Sequence, residues 1–283
     1  MPDDPRLPPR QPLPDPFQPD DPPGSALHFR SIWISDIHLG TRGCQAGMLL
    51  DFLRHTESDY LYLVGDIVDG WQLKKRWFWP QAHNDVVQKI LRRARKGSRV
   101  FFVAGNHDEF ARDFCGLQFG GVLVTDEVVH ETAGGQRLLV VHGDRFDAVM
   151  NYARWLAYLG DAAYDLALLL NRVFNYARRK MGFSYWSLSA YLKHKVKNAV
   201  AHIGAFEHFL AEEARRKGAD GVVCGHIHHA EIRMIGPVIY CNDGDWVESC
   251  TALVEDAEGN LSIVRWADDR ERLLAARKEP AIA

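Results

Sequence analysis

Positive charge is in short supply: 34 lysines and arginines face 37 aspartates and glutamates, leaving a formal net charge of −3. A surface built to track a phosphate backbone is usually clearly basic, so no nucleic-acid partner is favoured. Cysteine is sparse and scattered. Cys44, Cys115, Cys224, Cys241 and Cys250 are odd in number and show no C-x-x-C spacing, which points to reduced thiols in a cytoplasmic protein. Long apolar runs are missing as well. The most apolar stretch, Leu156 to Leu170, is broken by Asp161 and Asp165 and falls short of the ~18 residues a membrane span needs. The N-terminus has no basic flank followed by an apolar run, so no secretory signal is expected. What remains is ordinary for a globular chain: 47% hydrophobic and 25% charged over 283 residues, enough for a large buried core.

Proline is confined almost wholly to one place. Residues 1–26 hold ten of the 13 prolines, interleaved with Asp and Arg, and are expected to form a disordered tail. Beyond it, apolar runs predict strands over Phe29 to Ile34, Asp59 to Val64 and Arg99 to Ala104, with helices over Gln45 to His55 and Ala82 to Lys96. Strand–helix alternation of this kind indicates an α/β layered core. Shorter strands follow at Val122 to Val124, Val128 to Glu131 and Arg137 to Val141. Helical spacing then runs from Arg145 to Lys217. Strands resume at Gly221 to Cys224, Ile232 to Ile235, Val238 to Cys241, Val247 to Val254 and Leu261 to Trp266. The expected division is a core of 27–144 and 218–266, an inserted helical cap of 145–217, and a C-terminal tail of 267–283.

The chemistry sits where the strands stop. Asp36-x-His38, Gly65-Asp66, Gly105-Asn106-His107-Asp108, His142-Gly143-Asp144 and Gly225-His226-x-His228 each follow a strand-like run. That edge of an α/β sheet is where ligands bind. Any one such residue is more commonly a turn or cap residue; the ordered set of five is what argues for a site. Carboxylate, imidazole and amide donors without thiolate favour Mn, Fe or Zn in an open geometry over a closed tetrahedral zinc. Seven side chains suffice for two ions if one carboxylate is shared, and a pair of ions ~3.5–4 Å apart can clamp both oxygens of an in-line phosphoryl displacement.

These five blocks resemble those of the calcineurin-like metallophosphoesterases, over roughly residues 29–266. The resemblance implies an αββα sandwich with a dinuclear site. It places Asp36, His38 and His228 on one ion, Asn106, His142 and His226 on the other, and Asp66 between them. It gives His107 a face toward the substrate phosphate, either bearing developing charge or protonating the leaving oxygen, with Asp108 as a candidate to orient it. Asp69 is a candidate supporting residue or a local cap. The cofactors implied are two divalent ions, Mn first, with Fe or Zn as alternatives.

Within that superfamily the blocks Ser35-Asp36-Ile37-His38-Leu39-Gly40 and Gly65-Asp66-Ile67-Val68-Asp69-Gly70-Trp71 are similar to those of UDP-2,3-diacylglucosamine diphosphatases. Those enzymes carry acyl chains in a helical cap between the His142 and His226 blocks. The resemblance implies cleavage of a nucleotide-activated glycolipid to UMP and 2,3-diacylglucosamine 1-phosphate, in lipid A synthesis. Aromatic residues such as Trp155, Tyr158 and Trp186, mixed with Arg178, Arg179 and Lys180, suit peripheral contact with the inner membrane face or, equally, an ordinary helical cap. One position departs: where the best-known diphosphatases usually have Arg after the motif Asn, this chain has His107. Three alternatives remain on the sequence alone. They are a phosphodiesterase or nucleotide pyrophosphatase on another substrate, a protein phosphatase (disfavoured by Gly70 after Asp69), and a non-catalytic scaffold on the same fold.

Overall fold

A computed structural model of the chain describes residues 26–145, 204 and 206–276. The proline-rich segment 1–25, most of the expected cap (146–203) and the last residues, 277–283, lie outside the described residues.

Two sheets face each other. The larger has seven strands: β1 (Leu27–Ile34), β2 (Thr56–Val64), β3 (Arg99–Val103), β4 (Gln118–Phe119), β5 (Val122–Thr125), β11 (Thr251–Glu255) and β12 (Leu261–Arg265), in the order β12-β11-β1-β2-β3-β5-β4. The smaller has five, in the order β6-β7-β8-β10-β9: β6 (Glu127–Glu131), β7 (Arg137–Val141), β8 (Gly221–Cys224), β9 (Glu231–Ile235) and β10 (Val238–Asn242). β1, β2, β3 and β5 run parallel, as do β7, β8 and β10, while the outer strands are antiparallel.

The central strands are apolar on both faces, as parallel strands covered on both sides must be. Their period-two alternation then sorts the side chains. Trp33, Tyr62 and Val64 point between the sheets, where they meet Leu138, Val140 and Val223. Ile32, Ile34, Leu61 and Leu63 point outward, under α1 (Ala46–His55) and α3 (Gln81–Arg95). Between those two lies a short helix, α2 (Gly70–Lys75), whose start is capped by Asp69 accepting from Gln72 N at 2.8 Å.

A helix over 206–216, α4, covers the smaller sheet. Phe206, Leu210, Ala211 and Ala214 pack against Leu139, Val222 and Cys224. This helix falls within the 145–217 stretch expected as a cap, and its apolar face closes the second sheet. The region after β12 is also helical, over α5 (Trp266–Ala276), with Trp266 buried against Phe52 and Arg270 paired to Asp51. The order of layers is thus helix, sheet, sheet, helix. Among the described residues no helix is long and apolar enough to cross a membrane.

The parallel strands β1, β2, β3, β7 and β8 all end at one edge of the sandwich. Each delivers its motif there: Asp36 and His38 after β1, Asp66 after β2, Asn106 after β3, His142 after β7, His226 and His228 after β8.

Candidate active site

The five loops turn abruptly. Of six non-glycine residues with positive φ among the described residues, five are expected ligands: Asp36 (48°), His38 (52°), Asp66 (53°), His226 (72°) and His228 (53°). Left-handed backbone is costly for most residues and least so for Asn, Asp and His. Its clustering here marks a site whose geometry is imposed by the fold around it. Glycine makes the crowding possible. A Cβ on Gly65 (φ 77°) would overlap the His142 ring, and one on Gly225 would sit 2.6 Å from Asp36 Oδ2.

Asp66 stands at the centre. Its Oδ1 accepts from His107 N at 2.8 Å and lies 3.4 Å from His142 Nε2. Its Oδ2 faces the other way, 3.9 Å from both His38 Nε2 and His107 Nε2. Asp36 Oδ1 lies 3.2 Å from His228 Nε2 and 3.8 Å from His38 Nε2. The rings of His142 and His226 meet edge to face at 5.1 Å, while His38 and His228 stack at 5.7 Å. Three sets of donors are each mutually within 4.8 Å: Asp36, His38 and His228; Asp66, His142 and His226; and His38, Asp66 and His107. Asn106 lies between Gly105 and His107, which both abut Asp66.

These residues fit divalent cations on a test internal to the structure. Buried polar groups normally find partners. Here both carboxamide atoms of Asn106, Oδ1 of Asp36 and Nε2 of His142 are buried with no hydrogen-bond partner among the described residues. Their opposite atoms are held: His142 Nδ1 donates to Val64 O at 2.8 Å, leaving Nε2 free to ligate, and Asp36 Oδ2 accepts from His226 N at 2.8 Å. Such outer contacts fix ligand tautomer and orientation.

The electrostatics agree. Burial alone would raise the Asp36 pKa, but the close His228 ring and the charge of His142 hold the carboxyl below its ordinary range. Asp66 is likewise held low, burial being outweighed by His142. Burial would push His142 down, yet the carboxylates of Asp66 and Asp36 raise it to about 10. The carboxylates thus make the pocket a place that attracts positive charge.

Asp108 differs from expectation. Its carboxylate turns away from the His107 ring and accepts from Gly105 N at 2.6 Å, Ile67 N at 2.8 Å and Val68 N at 3.3 Å, tying the second loop to the third. Burial, then the neighbouring Asp66, push its carboxyl up to about 6. The carboxylate beside His107 is that of Asp69, whose Oδ2 lies 3.0 Å from His107 Nδ1 and 3.3 Å from His38 Nδ1. Trp71 covers the other side of His107, ring centroids 4.3 Å apart. Asp144, Asn242 and Asp245 hold loops: Asp144 pairs with Arg112, Asn242 donates to Gly225 O, and Asp245 accepts from Val247 N and Glu248 N. His229 is exposed.

A sandwich of two mixed sheets between helices, with Asp, Asn and His loops gathered at one edge, defines a metallophosphoesterase. The chain belongs to the calcineurin-like phosphoesterase family, whose profile matches residues 29–230, and it is a metal-dependent phosphoester hydrolase. Among curated proteins it is similar to the UDP-2,3-diacylglucosamine hydrolase of Neisseria meningitidis serogroup B, at 26% identity over 82% of this chain and 97% of the relative. A protein of the same name from Xanthomonas oryzae pv. oryzae is 28% identical over 81% of this chain and 96% of the relative. Among solved structures, a phosphoesterase from E. coli is 14% identical over 83% of this chain and 98% of its own, with a TM-score of 0.38.

Proposed function

We propose that the chain hydrolyses the pyrophosphate of UDP-2,3-diacylglucosamine to UMP and 2,3-diacylglucosamine 1-phosphate. The observation that carries this reading is the near full-length correspondence with relatives named for that hydrolysis. In it, Asp36, His38 and His228 would hold one divalent ion, Asn106, His142 and His226 the other, and Asp66 would serve both. Manganese suits this donor set, with iron or zinc as alternatives. Bound there, the ions would supply Lewis acidity against the phosphoryl oxygens and make water more acidic.

The chain's own residues do the rest. Asp69 holds Nδ1 of His107 and so leaves Nε2 facing the reacting phosphoryl group, where it bears developing charge or gives a proton to the departing oxygen. Asp108 keeps the loops carrying Asp66 and Asn106 in register. The segment 146–203, between the His142 and His226 loops, is the proposed acyl-chain region, working at the inner face of the cytoplasmic membrane.

The presence of His107, where the best-known enzymes of this specificity usually have Arg, favours a second reading: a phosphodiesterase or pyrophosphatase acting on another substrate. The test is UMP release from UDP-2,3-diacylglucosamine by Mn-loaded protein, with Asp66→Asn as control and an aryl phosphodiester alongside. UMP release absent from the control supports the first reading. Turnover of the aryl ester alone moves the substrate elsewhere.

A further inference from the structure

Behind Asp36 lies a hydrogen-bond count that does not close with every carboxyl ionised. The Ser35 hydroxyl, buried, lies 2.7 Å from Asp36 Oδ2, 2.6 Å from Asp243 Oδ1 and 3.1 Å from Gly244 O. All three are acceptors when the carboxyls are ionised, and a hydroxyl has one proton to give. Asp243 is fully buried, and its Oδ2 has no partner among the described residues. An ionised carboxylate so placed would be a buried charge across a single hydroxyl from a second carboxylate, offset only in part by His142.

We infer that Asp243 is a neutral carboxylic acid that donates to Ser35 Oγ, so that Ser35 gives its own proton to Asp36 Oδ2, which makes Asp243 a positioning residue for the metal ligand Asp36. Both carboxyl contacts of Ser35 are then satisfied. Asp243 Oδ1–H donates to Ser35, Ser35 donates to Asp36, and Asp36 Oδ2 takes that proton together with the amide of His226. Both bonds on Oδ2 commit Oδ1 to the side where His228 and His38 converge. Burial, opposed by the Ser35 contact and reinforced by the Asp36 charge, pushes the Asp243 pKa well above the ordinary carboxylate range while Asp36 is held below it. Environments that drive two neighbouring carboxyls apart assign them different protonation states. An ionised Asp243 would instead compete for the Ser35 proton and free Asp36 to rotate.

This inference rests on the proposed metal centre for its purpose but not for its test. The first measurement is infrared difference spectroscopy of protein carrying 13C-labelled aspartate carboxyls, at pH 8, where Asp108 with its pKa of about 6 is ionised. A protonated carboxyl band in the metal-free and Mn-loaded protein, shifted by Ser35→Ala and missing in Asp243→Asn, is the expected result. No such band in the loaded protein overturns the inference. The second measurement is Mn affinity by calorimetry. Asp243→Asn, which keeps a neutral donor beside Ser35, should bind within roughly twofold of wild type, whereas Ser35→Ala should lose the roughly 10–100-fold typical of removing an outer-sphere partner. A tenfold loss in Asp243→Asn means that a negative charge was removed and refutes the neutral acid. Should wild type bind no Mn, the metal reading fails, and the infrared band still decides the state of Asp243.

Discussion

The two ends of the sandwich bury polar groups in opposite ways. Between the sheets, on the side away from the ligand loops, Glu255 accepts from Arg30 at 2.8 Å, Ser31 at 2.6 Å and Ala133 N at 2.8 Å, and contacts His130 Nε2 at 2.8 Å. The other nitrogen of His130 meets Tyr62 Oη at 2.8 Å, and Trp33 lies edge-on to the ring at 5.1 Å. Arg30, Ser31, Tyr62 and Glu255 belong to the large sheet and His130 to the small one, so the network bolts the two together. The partners of Glu255 and His130 there are supplied by the chain. At the other end, Asn106, Asp36 Oδ1 and His142 Nε2 are buried without hydrogen-bond partners among the described residues, and Asp36 stands on left-handed backbone. One end spends its buried polarity on holding the fold, the other keeps it uncommitted for ligands from outside.

Breaking the uncommitted end should have the largest effect on activity. Asp66→Asn should lower turnover by more than the roughly 10²–10³-fold that losing one electrostatic donor costs, with lost Mn in metal analysis and an unchanged circular-dichroism spectrum. Full activity in that variant would remove Asp66 from its shared role. Next comes His107→Ala, expected to cut kcat by roughly 10²-fold with metal content kept. Asp69→Asn, which retains the α2 cap, should follow it with a smaller loss of about tenfold in kcat and little change in KM; a change confined to KM would make Asp69 a substrate contact.

The committed end should respond in stability alone. Glu255→Ala leaves Arg30 and His130 facing a lost partner and should cost about 3 kcal/mol in urea unfolding, with kcat/KM unchanged. The same carboxyl gives a pH signature. Burial raises its pKa, but the bonds from His130 and Ser31 bring it down to about 2, below the ordinary 4.5. A depressed folded pKa stabilises fully above the unfolded value and is lost as protons are taken up. Stability should therefore fall as pH drops from about 4.5 toward about 2, and Glu255→Gln should flatten that slope. An unchanged slope would assign the acid response to other carboxyls.

What the sequence made legible follows from what is local. Five strand ends could be read because each apolar run stops at a polar residue, and the parallel topology carries all five to one edge. The start of β2 was hidden because Thr56, Glu57 and Ser58 are polar, yet they pair with Leu27, His28 and Phe29 of β1. Strand β11 was expected from Val247, but the loop before it is pinned by Asp245, and pairing begins at Thr251. Helical spacing over 145–217 did not single out 206–216 as the piece whose apolar face covers the small sheet. Chain adjacency suggested Asp108 as the partner of His107, whereas the turn aims Asp108 at backbone amides and brings Asp69 from another loop. The Asp243–Ser35 contact joins residues far apart in the chain, and only the packing of the two sheets that carry β1 and β10 brings them together.

The left-handed backbone at Asp36, His38, Asp66, His226 and His228 also sets rules for anyone wishing to silence this enzyme. At such positions a β-branched or bulky replacement is rejected by the main chain before any chemistry is tested, and even Ala gives up about 1–2 kcal/mol per residue. Asparagine and glycine are the tolerant choices. A substrate trap, a crystallisation variant or a dominant-negative chain is therefore best made from that short alphabet, and a library randomised at these five codons will be filtered first by geometry and only afterwards by function.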